Sequence, residues 1–311
     1  MFSSYNPHHA LGAFDLNKCL SDMNKLVVIG VGLIGGSLAL DLKRQGKVRE
    51  VLGIDVDADN LARAAERKVI DDASVEINAE SLADADVVLI ATPVSFFADI
   101  CRRLASVLPE NAVVTDVGST KQPTLQAFKQ FLPQHYPRCV AAHPIAGSDR
   151  HGALAAQFGL FERKKCIVCP HEQQDSGSLS LIADVWQSVG AALYYQTAAE
   201  HDAVFASVSH LPHLLAYAYV HQIADAPNRQ ELLHFAGSGF RDFTRIAASH
   251  PSLWADICLA NRDTLQSLLN EQQAQLCLLQ DCLQRGDAAA LRDYFQEAKA
   301  ARDDWQTQQD G

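Results

Sequence analysis

The sequence predicts an α/β domain, built on a largely parallel sheet covered on both faces, followed by an all-helical domain. Three observations lead there. Short apolar runs alternate with helical segments through the first 195 residues, and a glycine turn joins the first run to the first helix. From about Gln196 onward, polar and apolar residues repeat at helical spacing instead. A chain of 311 residues also exceeds what one compact core usually needs.

Residues 1–23 read as a flexible extension: they carry Pro7, His8, His9 and Gly12 and lack the positive start and apolar core of an export signal. The first domain is expected over 24–195. Leu26-Val27-Val28-Ile29 is an apolar run suited to a strand buried on both faces. Gly30-Val31-Gly32-Leu33-Ile34-Gly35 follows, then a helix to about Lys43. Further strands are expected at Val51–Asp55, Asp86–Ala91, Ala112–Asp116, Cys139–Ala142 and Lys165–Cys169. The helical domain, 196–311, is expected to hold segments over Gln196–Asp225, Leu253–Gln284 and Arg292–Trp305.

The glycine turn gains specificity from its context. It follows a strand, opens a helix, and is followed by Asp55 at the end of the next strand, the arrangement of a Rossmann-type dinucleotide-binding domain. Gly30 permits the tight turn, Gly32 lets backbone approach a pyrophosphate, and Gly35 lets helix and strand pack closely. The first helical N–H groups, around Leu33 and Ile34, then face the phosphates. Asp55 can accept from both ribose hydroxyls and repels a 2′-phosphate, and no arginine follows it, which favours NAD over NADP. Thr92 and Pro93 end one strand, and Gly118 and Ser119 lie just beyond another, where open α/β sheets place their ligand crevice.

His143, in His143-Pro144-Ile145-Ala146-Gly147, is expected just past a strand end at the same crevice. Its side chain has an ordinary pKa near neutrality, as a proton acceptor during hydride transfer requires. Composition narrows the other classes. With 48% hydrophobic and 20% charged residues, the chain is not collagen-like, low-complexity or largely disordered. A net charge of −11 disfavours nucleic acid and anionic membranes as partners, and an anionic substrate would need local positive charge. No apolar stretch approaches the roughly 20 residues of a membrane span. Of eight cysteines only Cys166 and Cys169 are closely spaced; with no second pair and no compact histidine set, no metal is expected, and the thiols read as reduced and cytosolic.

The glycine turn, Asp116-Val117-Gly118-Ser119-Thr120-Lys121, His143-Pro144-Ile145-Ala146-Gly147, Ser209-His210-Leu211-Pro212-His213 and Gly239-Phe240-Arg241-Asp242-Phe243-Thr244-Arg245-Ile246-Ala247 together resemble the prephenate/arogenate dehydrogenase family of tyrosine biosynthesis. The resemblance runs from about Lys25 to the C-terminal helices. It implies an all-α domain that forms a homodimer and closes the substrate cleft. It also implies oxidation at C4 of a cyclohexadiene bearing a ring carboxylate, with hydride transfer to NAD and loss of CO2. Prephenate is the implied substrate and arogenate a second candidate. His143 would take the hydroxyl proton, and Ser119 would hydrogen-bond that hydroxyl and His143. Arg245 and His213 would hold the acidic groups. Arg241, His210 and Trp254 complete the implied pocket, and Asp149 would meet the arogenate ammonium or, with Asp242, pair with the arginines. Arg241 and Arg245, four apart, share a face if that segment is helical: either an exposed basic face or, as Phe240, Phe243 and Ile246 suggest, a partly buried one. Inhibition by tyrosine is a further implication, since that product resembles the substrate. Two other readings stay open: a 3-hydroxy-acid dehydrogenase of related architecture, and a non-enzymatic NAD-sensing module.

Overall fold

The structure, a computed structural model, describes residues 23–147 and 152–310. The expected extension up to Asp22, and Asp149, lie outside the described residues. The sheet is built from β1 (Met23–Ile29), β2 (Val48–Ile54), β3 (Asp72–Ser74), β4 (Val87–Ile90), β5 (Val113–Asp116), β6 (Cys139–Pro144), β7 (Lys165–Cys169) and β8 (Ala192–Tyr195). Met23 opens β1 and pairs with Val48, so the strand begins one residue inside the segment read as an extension. Between the strands lie α1 (Leu33–Arg44), α2 (Ala58–Glu66), α3 (Ala79–Leu82), α4 (Phe97–Leu104), α5 (Gln122–Phe131) and α6 (Ser176–Ser188).

The strand order is β3-β2-β1-β4-β5-β6-β7-β8. All neighbours run parallel except β6 and β7. Alternate residues of β1 feed the two faces: Leu26 and Val28 join one buried cluster, Val27 and Ile29 the other. That is why this run is continuously apolar rather than alternating. The short β3 and the half-exposed edge strand β8 were not expected from sequence: β3 has no apolar run, and β8 is only four residues long. The order reverses between β1 and β4, so the crevice that doubly wound sheets use for ligands opens at the carboxyl ends of these two strands.

β6 runs further than the sequence suggested. The antiparallel pairing with β7 continues through His143, opposite Ile167, and Pro144, opposite Cys166. His143 is therefore held by the sheet at the carboxyl end of β6, and not just beyond it.

Helix α7 (Ala198–Phe205), a π-helical turn over Ala206–His210, and α8 (Leu211–Ala224) form one 27-residue helix. By length and composition it is apolar enough to cross a membrane, which corrects the expectation that no segment approaches that length. The expectation sought an unbroken apolar run, and histidines and serines interrupt this one without making it strongly polar. A capping box starts the helix: Thr197 accepts from the Glu200 N–H while Glu200 accepts from Thr197. Next come α9 (Arg229–His234), α10 (Ser238–Thr244), a 3-10 turn over Arg245–Ala248, and α11 (Pro251–Ala260). The helical segment expected over Leu253–Gln284 is broken at Asn261, which leaves the helical path with φ −119° and ψ 31°. The compact unit carrying the sheet extends to Asn261. A second unit consists of α12 (Arg262–Arg285) and α13 (Ala288–Asp310), linked by a 2.9 Å hydrogen bond from the Tyr294 hydroxyl to Gln275 Oε1.

Candidate active site

The three glycines of the turn differ in what surrounds them. Gly30 has φ +95°, and a Cβ there would lie 2.6 Å from the Ala91 carbonyl oxygen and 2.9 Å from Thr92 Cγ2. A Cβ at Gly35 would lie 2.7 Å from the Gly30 carbonyl oxygen. Both positions exclude a side chain because the chain itself is in the way. At Gly32 a Cβ would meet nothing within 4 Å. Gly32 caps α1, whose first turn has no side-chain cap and no acidic residue, so its N–H groups and positive dipole end are open to an anion. The turn thus fits a dinucleotide: glycine is required where the chain closes on itself, and space is kept where a pyrophosphate would approach.

Asp55 follows β2 and holds the turn. Its carboxylate accepts from the Val31 N–H at 3.1 Å, the Asp57 N–H at 3.1 Å and Asn60 Nδ2 at 3.0 Å. Three of about four acceptor positions are used, leaving room for one ribose hydroxyl rather than the two expected. Asn60, buried and not singled out from the sequence, also donates to the Val31 carbonyl and accepts from the Ala153 N–H. Thr92 packs beside Gly30 at the crevice, and Pro93 follows it just past the end of β4.

Asp116, the last residue of β5, and Lys121, just beyond it, form a fully buried ion pair. Asp116 also accepts from the Gly118 N–H at 2.7 Å and the Ala142 N–H at 3.0 Å, and Lys121 Nζ donates to the Ala142 carbonyl at 2.8 Å. The pair ties the Gly118–Ser119 loop to β6 directly beneath His143. Ser119 makes no hydrogen bond among the described residues, and the expected bond to His143 is absent. The partner of His143 is His201 instead, with 2.8 Å between His143 Nδ1 and His201 Nε2. His201 Nδ1 lies 2.8 Å from Asp202 Oδ1, and the Asp202 carboxylate accepts from the N–H groups of Lys121 (2.7 Å) and Gln122 (2.8 Å) at the start of α5. Phe205 packs edge-on against the His143 ring at 4.9 Å. Burial, aided by the nearby His201, Lys121 and His210, lowers the proton affinity of His143 well below its ordinary value. The ring is thus neutral and able to accept a proton at neutral pH.

The same long helix carries His210 and His213, while Arg241 lies on α10, Arg245 on the 3-10 turn after it and Trp254 on α11. His213 stacks on Trp254, with ring centroids 3.4 Å apart, and its Nδ1 lies 2.9 Å from the Ser209 carbonyl. Both line an open apolar cleft with Leu214, Tyr217, Pro251, Ala255 and Cys258. Arg245 lies close enough to His213 for its charge to disfavour imidazolium there, although burial is the larger cause. Arg241 and Arg245 are exposed, contrary to the expected partial burial, and among the described residues neither forms an ion pair with Asp242. Phe240 and Phe243 turn toward Tyr219 instead of sheltering the guanidinium groups. His210 does not offer itself to a substrate: it is 1% exposed, with Nδ1 3.3 Å from Asn261 Nδ2. Cys166 and Cys169 are buried in β7, and burial pushes the Cys169 thiol up to about 12. Among the described residues, no group of three or more His, Cys, Asp or Glu could hold a metal ion.

Sequence reasoning missed His201 and Asp202. A local signal existed, since an adjacent imidazole and carboxylate follow the Thr197–Glu200 capping box in the first turn of a helix.

Two family models match the chain: the prephenate dehydrogenase nucleotide-binding domain over residues 38–195 and the prephenate dehydrogenase dimerization domain over residues 197–297. The prephenate dehydrogenase of Bacillus subtilis is 35% identical over 288 residues, covering 92% of this chain and 77% of the relative. The cyclohexadienyl dehydrogenase of Zymomonas mobilis is 30% identical over 279 residues, covering 89% and 94%. Among solved structures, prephenate dehydrogenase from Aquifex aeolicus in complex with hydroxyphenyl propionate and NAD+ superposes with a TM-score of 0.84 at 33% identity, covering 91% of this chain and 98% of that one. Synechocystis arogenate dehydrogenase gives a TM-score of 0.74 at 28% identity, covering 90% and 99%. The first family match begins inside α1, so the glycine turn is an independent argument from geometry. Turn, imidazole and both halves of the chain converge: this protein belongs to the prephenate dehydrogenase family.

Proposed function

We propose that the chain catalyses NAD-dependent oxidative decarboxylation of prephenate to 4-hydroxyphenylpyruvate in tyrosine biosynthesis. The observation that carries this reading is a neutral, sheet-held imidazole at the carboxyl edge that also carries an open glycine turn, within a chain matched along both halves to one family. Gly30, Gly32, Gly35 and Asp55 would hold the dinucleotide, which when bound supplies the acceptor for the hydride leaving C4.

His143 takes the proton of the C4 hydroxyl on Nε2. Ser119, its hydroxyl without a hydrogen bond among the described residues, meets that same hydroxyl. Arg245 meets the carboxylates, supplying the local positive charge that a chain of net charge −11 must provide for an anionic substrate, and His213 borders the same site as a neutral ring. Loss of the ring carboxylate as CO2 aromatises the ring and makes the reaction effectively irreversible. Tyrosine keeps the aromatic ring and a carboxylate, and we read it as a competitor at this site.

The dimerization-domain match supports a homodimer. So do Phe235 at 78% exposure and Leu259 at 71%, apolar surface that a second copy would cover. Sedimentation should show twice the chain mass. The thiols, free at all seven described cysteines, suit a reducing cytoplasm.

Turnover is tested by following near-ultraviolet absorbance of reduced nicotinamide with prephenate or arogenate, each with NAD or NADP. Prephenate with NAD should give the highest kcat/KM, with Asp55 rejecting the 2′-phosphate. No turnover of either substrate would leave the sensing-module reading, and turnover of a 3-hydroxy acid alone would leave the other.

A further inference from the structure

We propose that His201, backed by Asp202, is a positioning residue that fixes the tautomer of His143, placing the ring proton on Nδ1 and the lone pair on Nε2. The inference rests on the reading of His143 as the base and deepens it.

The hydrogen-bond sequence leaves one assignment. An ionised carboxylate only accepts, so His201 Nδ1, 2.8 Å from Asp202 Oδ1, carries the proton. A neutral imidazole has one N–H, so His201 Nε2 is an acceptor. Its neighbour at 2.8 Å, His143 Nδ1, must therefore donate. The remaining ring nitrogen of His143, Nε2, is then the one able to take a proton.

Asp202 is well placed to begin this sequence. Burial works against its charge, yet hydrogen bonds from His201, Gln122 and Lys121 hold its carboxyl below the usual range. Both N–H donors belong to the start of α5, where the helix dipole also favours an anion. Its own carbonyl accepts from Asn261 Nδ2 at 2.8 Å. His201 has no exposed surface and Asp202 1%, so water does not compete for these bonds. No proton need pass beyond His143: the other two residues orient the ring and stabilise it once charged, as the carboxylate of a Ser-His-Asp triad does.

Asp202 also caps α5, so the test is made on His201. In His201→Phe the acceptor is lost and His143 can adopt either tautomer. In His201→Gln the side-chain amide oxygen can still accept from His143 Nδ1. For Phe we expect a fall in kcat of about tenfold or more, with substrate KM and NAD affinity within about twofold, and recovery of most of that loss by Gln. Nitrogen NMR of ring-labelled wild-type protein gives a second readout that needs no variant: His143 should show a protonated Nδ1 and a bare Nε2. A bare Nδ1 in the wild type, or a folded Phe variant with wild-type kcat, would overturn the proposal. His143→Asn separates the two readings. If it abolishes turnover while His201→Phe does not, only the positioning role falls; if it leaves kcat intact, the base itself is wrong.

Discussion

Lys121 reaches back to Asp116, five residues earlier, and the two charges meet with no solvent-exposed surface on either side chain. Removing one member of a buried pair leaves the other uncompensated, at a cost of about 3–5 kcal/mol, whereas replacing both can be nearly neutral. Lys121→Met and Asp116→Asn should each lower unfolding stability by that order, and the double variant should lose less than the sum. Lys121→Met carries the heavier functional consequence: it removes a positive charge that helps keep His143 neutral and frees the Ala142 carbonyl beneath it. Urea unfolding of the three variants measures this, and strictly additive losses would refute the coupling.

The glycine turn predicts a split between stability and affinity. Gly30→Ala adds a Cβ to a residue at φ +95° and within 2.6 Å of a backbone oxygen, so the turn must shift and stability should fall by about 1–3 kcal/mol or more. Gly32→Ala adds one where the protein offers nothing within 4 Å, at an ordinary φ of −107°. Its stability should stay within about 0.5 kcal/mol of wild type. The NAD dissociation constant, read by fluorescence titration, should rise about tenfold or more. Unchanged affinity would mean that the pyrophosphate does not approach this N–H.

What could be read from the sequence follows the range of the interactions. The roles of Gly30, Gly32 and Gly35 depend on a strand, a turn and a helix contiguous in the chain, and they are legible as a motif. His143 is legible as an imidazole near a strand end, but its place inside β6 depends on pairing with β7, twenty-odd residues later. The His143–His201 contact joins residues 58 apart, and the local His201-Asp202 pair does not say which strand end it meets. The π-helical turn at Ala206–His210 rotates the residues after it relative to a regular helix, so spacing alone could not say that His210 turns inward to Asn261 while His213 reaches the cleft. The arginines failed for a similar reason. Their aromatic neighbours found Tyr219, a partner on another helix, rather than covering them.

Arg245 is exposed beside His213, so its truncation removes no packing and should move stability by less than about 0.5 kcal/mol. A charge-assisted hydrogen bond to a carboxylate contributes about 1.5–3 kcal/mol. Arg245→Ala should therefore raise KM for prephenate roughly tenfold to hundredfold, with kcat changed much less. Arg245→Lys should recover only part of this, because an ammonium cannot grip a carboxylate with two parallel bonds. Arg241→Ala serves as the comparison, four residues away and also exposed. Equal effects at the two positions would assign the change to general electrostatic attraction rather than to a clamp at Arg245.

Buried histidines set the acid limit of the fold. Burial lowers the His210 pKa to about 4, with the nearby His201 and His213 acting in the same direction and Asp202 against it. The unfolded chain binds this proton near the ordinary value of 6.5. Between these values the unfolded state holds more protons than the native one, so stability rises with pH across that window. Read downward, the loss begins as pH falls below about 6.5 and is complete near 4. A shift of this size amounts to about 3 kcal/mol, of which about 2 kcal/mol is gone by pH 5. His143 and His201, also depressed mainly by burial, add losses of the same sign. His210→Asn keeps a carbonyl acceptor for Asn261 and removes the titration. The variant should be less stable than wild type at pH 7.5, where its smaller side chain packs less well, yet should lose less stability on going to pH 5. Urea unfolding at the two pH values makes the comparison, and parallel losses in both proteins would show that His210 does not contribute to the acid transition.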